Sequence, residues 1–222
     1  MAVNEHEHEP VPGLPEALPA GERMLWQGAP SWQALAVRAL HVRKVAFYFA
    51  LLAAWHVFDL ASGGAALTAA LRGALWLMVL GAAAVGVLSL LAWGLARSTL
   101  YTITTARVVL RFGVALPMSI NLPLRLVETA DLVRHRDGTA DIALTLQHGQ
   151  RIGYLLTWPH VQPWRLFRVR PMLRGLATAA DAAKAIASAL AATQPAGTPA
   201  VVTRPVRESA TAMPRPATTA AA

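Results

Sequence analysis

Cysteine is absent from this chain of 222 residues, and charged side chains are scarce. Without cysteine the chain cannot form a disulfide framework, a zinc-thiolate site or a thiol nucleophile. Charged residues make up 14% of the sequence, against roughly 25% in a typical soluble domain, whereas hydrophobic residues make up 55%. This composition excludes a chain that is intrinsically disordered throughout.

The net charge of +8 is concentrated in the C-terminal half. Residues 97–222 carry 15 basic and six acidic side chains, whereas residues 45–96 carry only Arg72 and Asp59. Such a basic region suits nucleic acid, an anionic lipid surface or an acidic partner. Its arginines are spread over predicted strands, with no single stripe of stacking aromatics, so we do not expect nucleic acid as a partner.

Residues 73–96 contain no charged side chain and are bracketed by Arg72 and Arg97. A helix of this length measures roughly 36 Å, which exceeds the ~30 Å of bilayer hydrocarbon. A buried core helix is the alternative, but few soluble helices are apolar on every face for so long. We therefore predict a transmembrane helix.

Residues 45–58 are also uncharged and reach spanning length when extended to about Gly64. Because Ser62, Gly63 and Gly64 form a natural turn, residues 45–96 are predicted to form a transmembrane hairpin. An amphipathic helix lying in the membrane plane is the alternative for its first half.

Basic residues flank the hairpin on the side away from this turn. His41, Arg43 and Lys44 precede the first helix, and Arg97 follows the second. The positive-inside rule then predicts a multi-pass protein of the bacterial inner membrane with both termini in the cytoplasm. We expect His41, Arg43 and Lys44 to contact anionic lipid at the membrane surface.

Two features inside the hairpin have functional interpretations. His56 lies about mid-helix, where it could bind the metal of a tetrapyrrole such as bacteriochlorophyll or donate a hydrogen bond to a neighbouring helix. Ala82 and Gly86 form a small-xxx-small pair that favours close helix packing and would allow a homodimer.

From residue 98 the sequence changes to short alternating runs that predict six strands, at residues 99–104, 107–112, 116–122, 124–135, 141–147 and 151–158. Residues 177–192 predict a C-terminal helix. This order resembles a pleckstrin-homology-like (PH-like) domain, an α+β fold in which a helix closes one end of an antiparallel barrel or sandwich. We therefore assign residues 98–192 to a cytoplasmic PH-like domain and residues 23–44 to a juxtamembrane segment. Residues 1–22 and 193–222 are expected to be disordered.

The segment from Trp158 to Arg174 is predicted to bind a protein partner. Tryptophan and arginine are the residues most enriched in binding hot spots, and the prolines of this segment lower the entropy cost of ordering it. The alternative is that its tryptophans cap the barrel and its arginines face lipid headgroups. The candidate binding residues are Trp158, His160, Trp164, Arg165, Arg168, Arg170, Met172 and Arg174.

We find no constellation of residues that predicts an enzyme or a metal site. The sequence lacks a phosphate-binding glycine loop, a paired acid and base, and an arguable catalytic triad. Asp131, Asp137 and Asp141 lie near Arg134 and Arg136, and solvated ion pairs account for them. No catalytic or metal-ligating residue is therefore assigned.

Several short motifs occur in an order that resembles the PuhB family of photosynthetic-complex assembly proteins of purple phototrophic bacteria. The resemblance covers about residues 10–192. Its motifs are Leu18-Pro-Ala-Gly-Glu22, Leu25-Trp-Gln-Gly28, His41-Val-Arg-Lys44, Tyr101-Thr-Ile-Thr104, Arg107-Val108, Trp158-Pro-His160 and Pro171-Met-Leu-Arg174.

The resemblance implies a non-enzymatic factor for assembly of the photosynthetic reaction centre and its light-harvesting 1 core in the intracytoplasmic membrane. Reaction-centre subunits and other assembly factors are the implied partners, and the family is associated with the gene neighbourhood of the reaction-centre H subunit. A generic membrane-anchored lipid-binding or scaffold protein is the alternative. The family is often described with three membrane segments, whereas this sequence shows two, because residues 161–172 contain Arg165, Arg168 and Arg170.

Overall fold

A computed structural model describes residues 18–114, 116–147, 152–163, 168–193 and 201–204. Two long helices separate the first strand from the later strands, and a further helix precedes the last strand. The helices are α1 (Trp32–Arg38), α2 (Val42–Ser62), α3 (Leu67–Ser98), α4 (Tyr154–Thr157) and α5 (Ala179–Thr193). The strands are β1 (Met24–Gly28), β2 (Leu100–Thr104), β3 (Arg107–Phe112), β4 (Met118–Pro123), β5 (Val127–Arg134), β6 (Ala140–Leu146), β7 (Met172–Leu176) and β8 (Val201–Arg204).

Helices α2 and α3 pack against each other and expose large apolar side chains on their outer surface. Phe47, Trp55, Trp76 and Leu90 are each more than 60% exposed. The two helices have 21 and 32 residues and are long and apolar enough to cross a membrane. The predicted pair of apolar helices is thus confirmed, and their crossing of a membrane stays a prediction.

The strands form two four-stranded sheets, with the orders β1-β2-β3-β4 and β7-β6-β5-β8. All pairs are antiparallel except β5 and β8, which run parallel. Among the described residues no strand ladder joins the two sheets. The predicted closed barrel is therefore wrong, and the sandwich alternative describes the sheets better.

Helix α5 closes the open end between the sheets. Its apolar residues recur at helical spacing, and the buried ones contact a single core that both sheets share. Four of its six buried residues are alanine, which lets the helix lie close to the strands. The six buried residues of α5 are Ala179, Ala182, Ala185, Ile186, Ala189 and Leu190.

Three local predictions differ from the structure. Residues 151–158 were predicted as a strand, but residues 154–157 form the short helix α4. Strand β1 lies in the juxtamembrane segment and pairs with β2, so this segment belongs to the first sheet. Strand β8 lies within the tail expected to be disordered, and pairing with β5 supplies backbone hydrogen bonds that a solitary segment lacks. Residues 1–17 and 205–222 lie outside the described residues.

Helix α1 connects the long helices to the second sheet. Leu35 and Ala36 pack against Leu95 and Ala96 of α3. At its start, the N–H of Ser31 donates to the carbonyl of Gly175 in β7 over 2.8 Å. Gly175 has φ +62°, and a Cβ there would lie 2.9 Å from the Cβ of Ala34, so only glycine fits this contact.

Candidate functional site

The predicted partner-binding segment lies largely inside the fold. His160 is fully buried, and Met172 and Arg174 are each 7% exposed. Such side chains offer no surface to a partner while the domain is folded, and the ring of His160 packs against the rings of Tyr101 and Phe112. Trp158 is 43% exposed and Arg168 is exposed. Trp164 and Arg165 lie outside the described residues.

His160 stands in a directional chain of hydrogen bonds between β7 and the end of helix α3. The backbone N–H of Arg174 donates to the hydroxyl of Tyr101 over 3.2 Å, and that hydroxyl lies 2.7 Å from Nδ1 of His160. Nε2 of His160 lies 3.2 Å from Oγ1 of Thr99, whose hydroxyl donates to the carbonyl of Leu95 over 2.6 Å. Donors and acceptors match when Tyr101 donates to Nδ1 and the proton of the neutral imidazole is on Nε2.

Burial keeps the members of this chain neutral. It lowers the pKa of His160 to about 3, with the positive charge of Arg174 adding to the effect. It also raises the pKa of Tyr101 well above its ordinary value, so the phenol remains a donor. Thr99, Tyr101 and His160 thus form a buried polar connection, called the joint, between helix α3 and strand β7. They are not arranged as an accessible acid or base.

Asp141 organises a second buried cluster beside this joint. Its carboxylate accepts from the N–H of Gly175 over 2.7 Å and lies 3.0 Å from Nε2 of His135. Burial raises the pKa of Asp141, but the hydrogen bond to His135, the positive charge of Arg38 and the bond from Gly175 outweigh it and lower the pKa overall. Arg38 also donates to Asp137 over 2.9 Å. The cluster therefore joins helix α1 to the second sheet.

Asp131 and Arg170 form a third polar contact, between β5 and the segment before β7. Nη1 of Arg170 lies 3.0 Å from Oδ2 of Asp131, and their side chains are 14% and 8% exposed. Arg170 also donates to Thr145. The interpretation of Asp131 and Asp141 as solvated is therefore wrong, whereas Asp137 lies at the surface, its side chain 52% exposed.

A cleft of about 180 Å³ lies between the α1–α2 turn and the segment around α4. It brings together His41, predicted at the membrane surface, with Trp158 and Arg174, predicted to bind a partner. Arg38 and Tyr154 also line it. The Nε atom of Arg174 is buried and has no hydrogen-bond partner among the described residues. The cleft thus presents cations and aromatic rings at the ends of the two apolar helices.

His56 does not fit the binding of a tetrapyrrole metal. Its Nε2 atom faces helix α3 at Gly73, where a Cβ would lie only 2.0 Å from that nitrogen. A metal bound to a histidine nitrogen at about 2.1 Å would fall at this position, against the backbone of α3. The ring of His56 lies against helix α3 at Gly73, and the alternative of a hydrogen bond to the neighbouring helix stays a prediction. Bacteriochlorophyll contact through His56 is therefore not supported.

The other sequence-predicted residues lie apart from these clusters. Arg43 and Lys44 are exposed in the first turn of α2, next to exposed His41. Among the described residues, no group of three or more histidine or acidic side chains could hold a metal ion. A Cβ at Gly86 would meet no atom of the described residues within 4 Å, so none of them packs on that half of the predicted small-residue pair.

Sequence reasoning missed the residues that hold the joint together. Thr99 and Tyr101 were assigned only to a strand, and Arg38, which belongs to the neighbouring Asp141 cluster, only to the juxtamembrane segment. The available signal was polar residues inside apolar alternating runs, namely Tyr101 in β2 and Asp141 in β6. Buried polar groups need hydrogen-bond partners, so such positions predict a network without saying which residues complete it.

Comparisons with known proteins identify the family of the chain. The bacterial PH domain family matches residues 45–190, a range that includes α3 and all but the first three residues of α2. An uncharacterized 23.7 kDa protein of Rhodobacter capsulatus, described as encoded in the puhA 5′ region, is 36% identical over 170 residues. That match covers 76% of this chain and 79% of the relative. No solved structure matches. With its two sheets, closing helix and long N-terminal helices, the chain belongs to the bacterial PH domain family.

Proposed function

We propose that this chain is a membrane-anchored, non-enzymatic assembly factor for the photosynthetic reaction centre and its light-harvesting 1 core. The observation that carries the proposal is the 36% identity to a protein encoded in the puhA 5′ region of Rhodobacter capsulatus. The family resemblance noted above supports the same role. In this role the chain binds reaction-centre subunits, or another assembly factor, transiently at the bacterial inner membrane.

The structure supports a role in which the two long helices hold the PH-like domain close to the bilayer. In the proposed topology, α2 and α3 span the membrane and both termini are cytoplasmic. The hydrogen-bond chain from Leu95 through His160 to Arg174 connects α3 to the second sheet. A buried connection of this kind restricts rocking of the domain against the helices. The domain therefore contacts newly inserted subunits at a fixed distance from the bilayer surface.

Trp158, at the start of the predicted partner-binding segment, adjoins exposed apolar residues of helix α4 that precede the segment. Leu155, Leu156 and Trp158 are 87%, 55% and 43% exposed, and they lie at and just after helix α4. Exposed apolar residues next to an aromatic anchor are typical of binding sites. We therefore assign partner contact to this surface, called the α4 surface, and not to the buried His160, Met172 and Arg174.

The test is a near-infrared absorption spectrum of membranes from a deletion strain of the organism that encodes the chain. We expect the bands of the reaction centre and the core antenna to fall and to return on complementation. Unchanged bands at several growth times would refute the assembly role. Complementation with Leu155→Asn and Trp158→Ala together should restore the bands poorly. Asn121→Ala, an exposed substitution on β4, is the matched control and should restore them fully.

A second candidate function, binding of anionic lipid, is favoured by the cleft between the α1–α2 turn and α4. Arg38, His41 and Arg174 supply positive charge or donors there. The test is the rise in melting temperature of the detergent-solubilised full chain when phosphatidylglycerol or phosphatidylcholine is added. A rise specific to phosphatidylglycerol that His41→Gln reduces, and that Arg125→Gln, at an exposed position outside the cleft, does not, would favour the lipid role. An equal rise with both lipids would exclude it.

A further inference from the structure

The turn between β3 and β4 lies beside the C-terminal end of helix α3. Strand β2 begins two residues after α3 ends, and Leu100 of β2 pairs with Arg111 near the end of β3. A Cβ at Gly94 would lie 3.8 Å from both methyl carbons of Val114, which is ordinary van der Waals distance. The turn therefore lies against α3 about one helical turn before the helix ends.

This turn has a defined shape and presents apolar side chains. Gly113 has φ +126°, and a Cβ there would overlap the carbonyl oxygen of Leu116, so only glycine closes the turn. Phe112 and Met118 form the last pair of the ladder before it. Val114 and Leu116 are 57% and 77% exposed. These two side chains are called the β3–β4 tip.

The contact with α3 puts the β3–β4 tip at the edge of the predicted hydrocarbon core. The uncharged run of residues 73–96 is longer than the core by about 6 Å. Gly94 therefore lies within about one helical turn of the edge of the core. Trp93 is 47% exposed, and the guanidinium of Arg97 lies 5.3 Å from the centre of its ring. Such an aromatic residue followed by a cation is typical of the membrane–water interface.

Two turns of the domain lie near the ends of the helices, and their charges differ. The turn between β5 and β6 carries exposed Arg136 and Asp137, and Asp137 binds Arg38 of α1. Residues 112–124, which include the β3–β4 tip, contain no charged side chain. Of these two turns, only the one between β3 and β4 can therefore enter apolar surroundings without burying a charge.

We propose that the β3–β4 tip inserts into the interfacial layer of the bilayer beside α3 and anchors the domain there, in addition to the two long helices. Lipid is the occupant because the tip continues an exposed apolar face of α3. Val87, Leu90 and Leu91 share the helix face of Gly94 and are 66%, 67% and 41% exposed. The inference rests on the proposed function only in that α3 must span the membrane.

Insertion of the β3–β4 tip limits tilting of the domain relative to the bilayer. The joint connects α3 to β7 of the second sheet, whereas the tip belongs to the first sheet. With one attachment in each sheet, the domain keeps a single orientation above the membrane. Removal of the exposed valine and leucine side chains from water favours this orientation.

The test uses single cysteines, because the chain contains none of its own. Leu116→Cys places an environment-sensitive fluorophore at the tip, and Leu90→Cys places one on the predicted span. Ala106→Cys places one at the exposed turn between β2 and β3, at the other end of these strands. Each labelled full chain is reconstituted, one copy per nanodisc, in phosphatidylcholine and phosphatidylglycerol. A nitroxide on the acyl chain, close to the headgroup or close to the chain end, reports the depth of each fluorophore by quenching it.

We expect the label at residue 116 to be quenched about fivefold more than the label at residue 106, because an interfacial anchor lies within the upper part of the acyl layer. The nitroxide close to the headgroup should quench it more than the deeper one. Equal quenching at residues 116 and 106 would overturn the proposal. A blue-shifted label at residue 116 that neither nitroxide quenches would also overturn it, since protein would then cover the tip.

A charge at the tip supplies an independent variant. Adding Val114→Asp to the labelled Leu116→Cys chain should remove most of the quenching, because insertion would then bury a carboxylate. Asn121→Asp, at an exposed position on β4, is the matched control and should leave the quenching unchanged. Quenching that persists in a Val114→Asp chain with an unchanged melting temperature would contradict the proposal. If Val114→Asp does not fold, the depth measurement alone decides.

The label at residue 90 separates this inference from the proposed function. If residue 90 is quenched and residue 116 is not, the tip does not insert, whereas the membrane anchoring of the proposed function stands. If neither is quenched, α3 does not span the bilayer, and the anchoring and the inference both fail.

Discussion

The hydroxyl of Tyr101 lies 2.7 Å from Nδ1 of His160, and both side chains are completely buried. This pair joins strand β2, which directly follows helix α3, to the segment before β7. Because the imidazole accepts at Nδ1 and donates at Nε2, it completes the chain only when neutral. Protonation would place a donor against the hydroxyl hydrogen of Tyr101 and a charge in an apolar interior.

The first prediction is a loss of stability in mild acid that depends on His160. Its pKa is about 3 in the folded chain and 6.5 as the ordinary value, so the unfolded chain binds one more proton between these limits. The contribution of the neutral His160 to the free energy of unfolding is therefore fully present above about pH 6.5. It decreases as the pH falls through this window, by up to about 1.4 kcal/mol per pH unit. His160→Gln, which keeps a donor and an acceptor without titrating, should flatten this dependence.

The measurement is the free energy of unfolding of the full chain in mixed micelles at several pH values between 4.5 and 6.5 (roughly the upper part of that window). The carboxyl groups of Asp137 and Asp141 stay ionised in this range, because their pKa lies below 3.8 in the folded chain. Titrations common to both proteins cancel in the difference. Parallel pH profiles for the wild-type and His160→Gln chains would show that His160 is not buried in the neutral form.

The second prediction concerns the contact between His56 and Gly73. A Cβ at residue 73 would overlap Nε2 of His56, whereas one at Gly86 of the same helix meets nothing within 4 Å. Gly73→Ala should therefore destabilise the helix pair by about 1–3 kcal/mol, the usual cost of overpacking. Gly86→Ala should change little.

The measurement for this contact is a double-mutant cycle in mixed micelles. Adding His56→Ala to Gly73→Ala removes the overlapping ring and should recover most of the lost stability, with a coupling energy of about 1 kcal/mol or more. The effects of Gly86→Ala and His56→Ala should simply add. If Gly73→Ala is as mild as Gly86→Ala, the helices do not approach each other at this position.

Segments with periodic apolar residues or without charge were predictable from the sequence, because the need to remove apolar side chains from water determines their secondary structure. The run at residues 73–96 is apolar on every side, and α3 contains it entirely. Strand β3 was predicted at the bounds it has, because a short run rich in valine and leucine ends at Gly113, a residue that typically ends a strand. Pairing partners that are distant in sequence were not predictable in this way. Strand β1 depends on β2, about 75 residues later, which no local pattern encodes.

The segment that contains the candidate site could be selected from the sequence, but the burial and contacts of its side chains could not. Trp158, His160 and Arg174 were predicted to bind a partner, but residues of these types suit a buried network and a binding surface equally well. Burial distinguishes the two, and it depends on which elements cover the segment. The rings of Tyr101 in β2 and Phe112 in β3 pack against His160, and neither contact can be inferred from spacing along the chain.

The third prediction separates a structural role of Arg170 from partner contact. Arg170→Ala removes the guanidinium that faces the buried carboxylate of Asp131, and such a loss costs about 3–5 kcal/mol for a buried pair. Exposed Arg168 is the matched control, and Arg168→Ala should cost less than about 1 kcal/mol. Thermal unfolding of the two variants in detergent measures the difference. Equal stability of both variants would contradict the structural role of Arg170.

The last prediction is that residues 98–192 do not fold as a domain without the segment that precedes the hairpin. Strand β1 pairs with β2 from Met24 to Gly28, and beside it Glu22 accepts hydrogen bonds from Thr104 over 2.6 Å and from Nε of Arg107 over 2.9 Å. The side chain of Glu22 is 7% exposed, so these bonds are shielded from water. A fragment of residues 98–192 would expose the edge of β2 and the core face that Trp26 covers.

The test compares three proteins by circular dichroism and size-exclusion chromatography: the full chain, the chain from residue 18 onward and the fragment of residues 98–192. We expect the second protein to melt within a few degrees of the full chain, because Glu22 and β1 are retained. The fragment should aggregate or lack a cooperative transition. Adding a peptide of residues 18–30 should restore part of its β-sheet signal, and a peptide carrying Glu22→Ala should restore less. A fragment that melts cooperatively without the peptide would show that β1 is dispensable for folding.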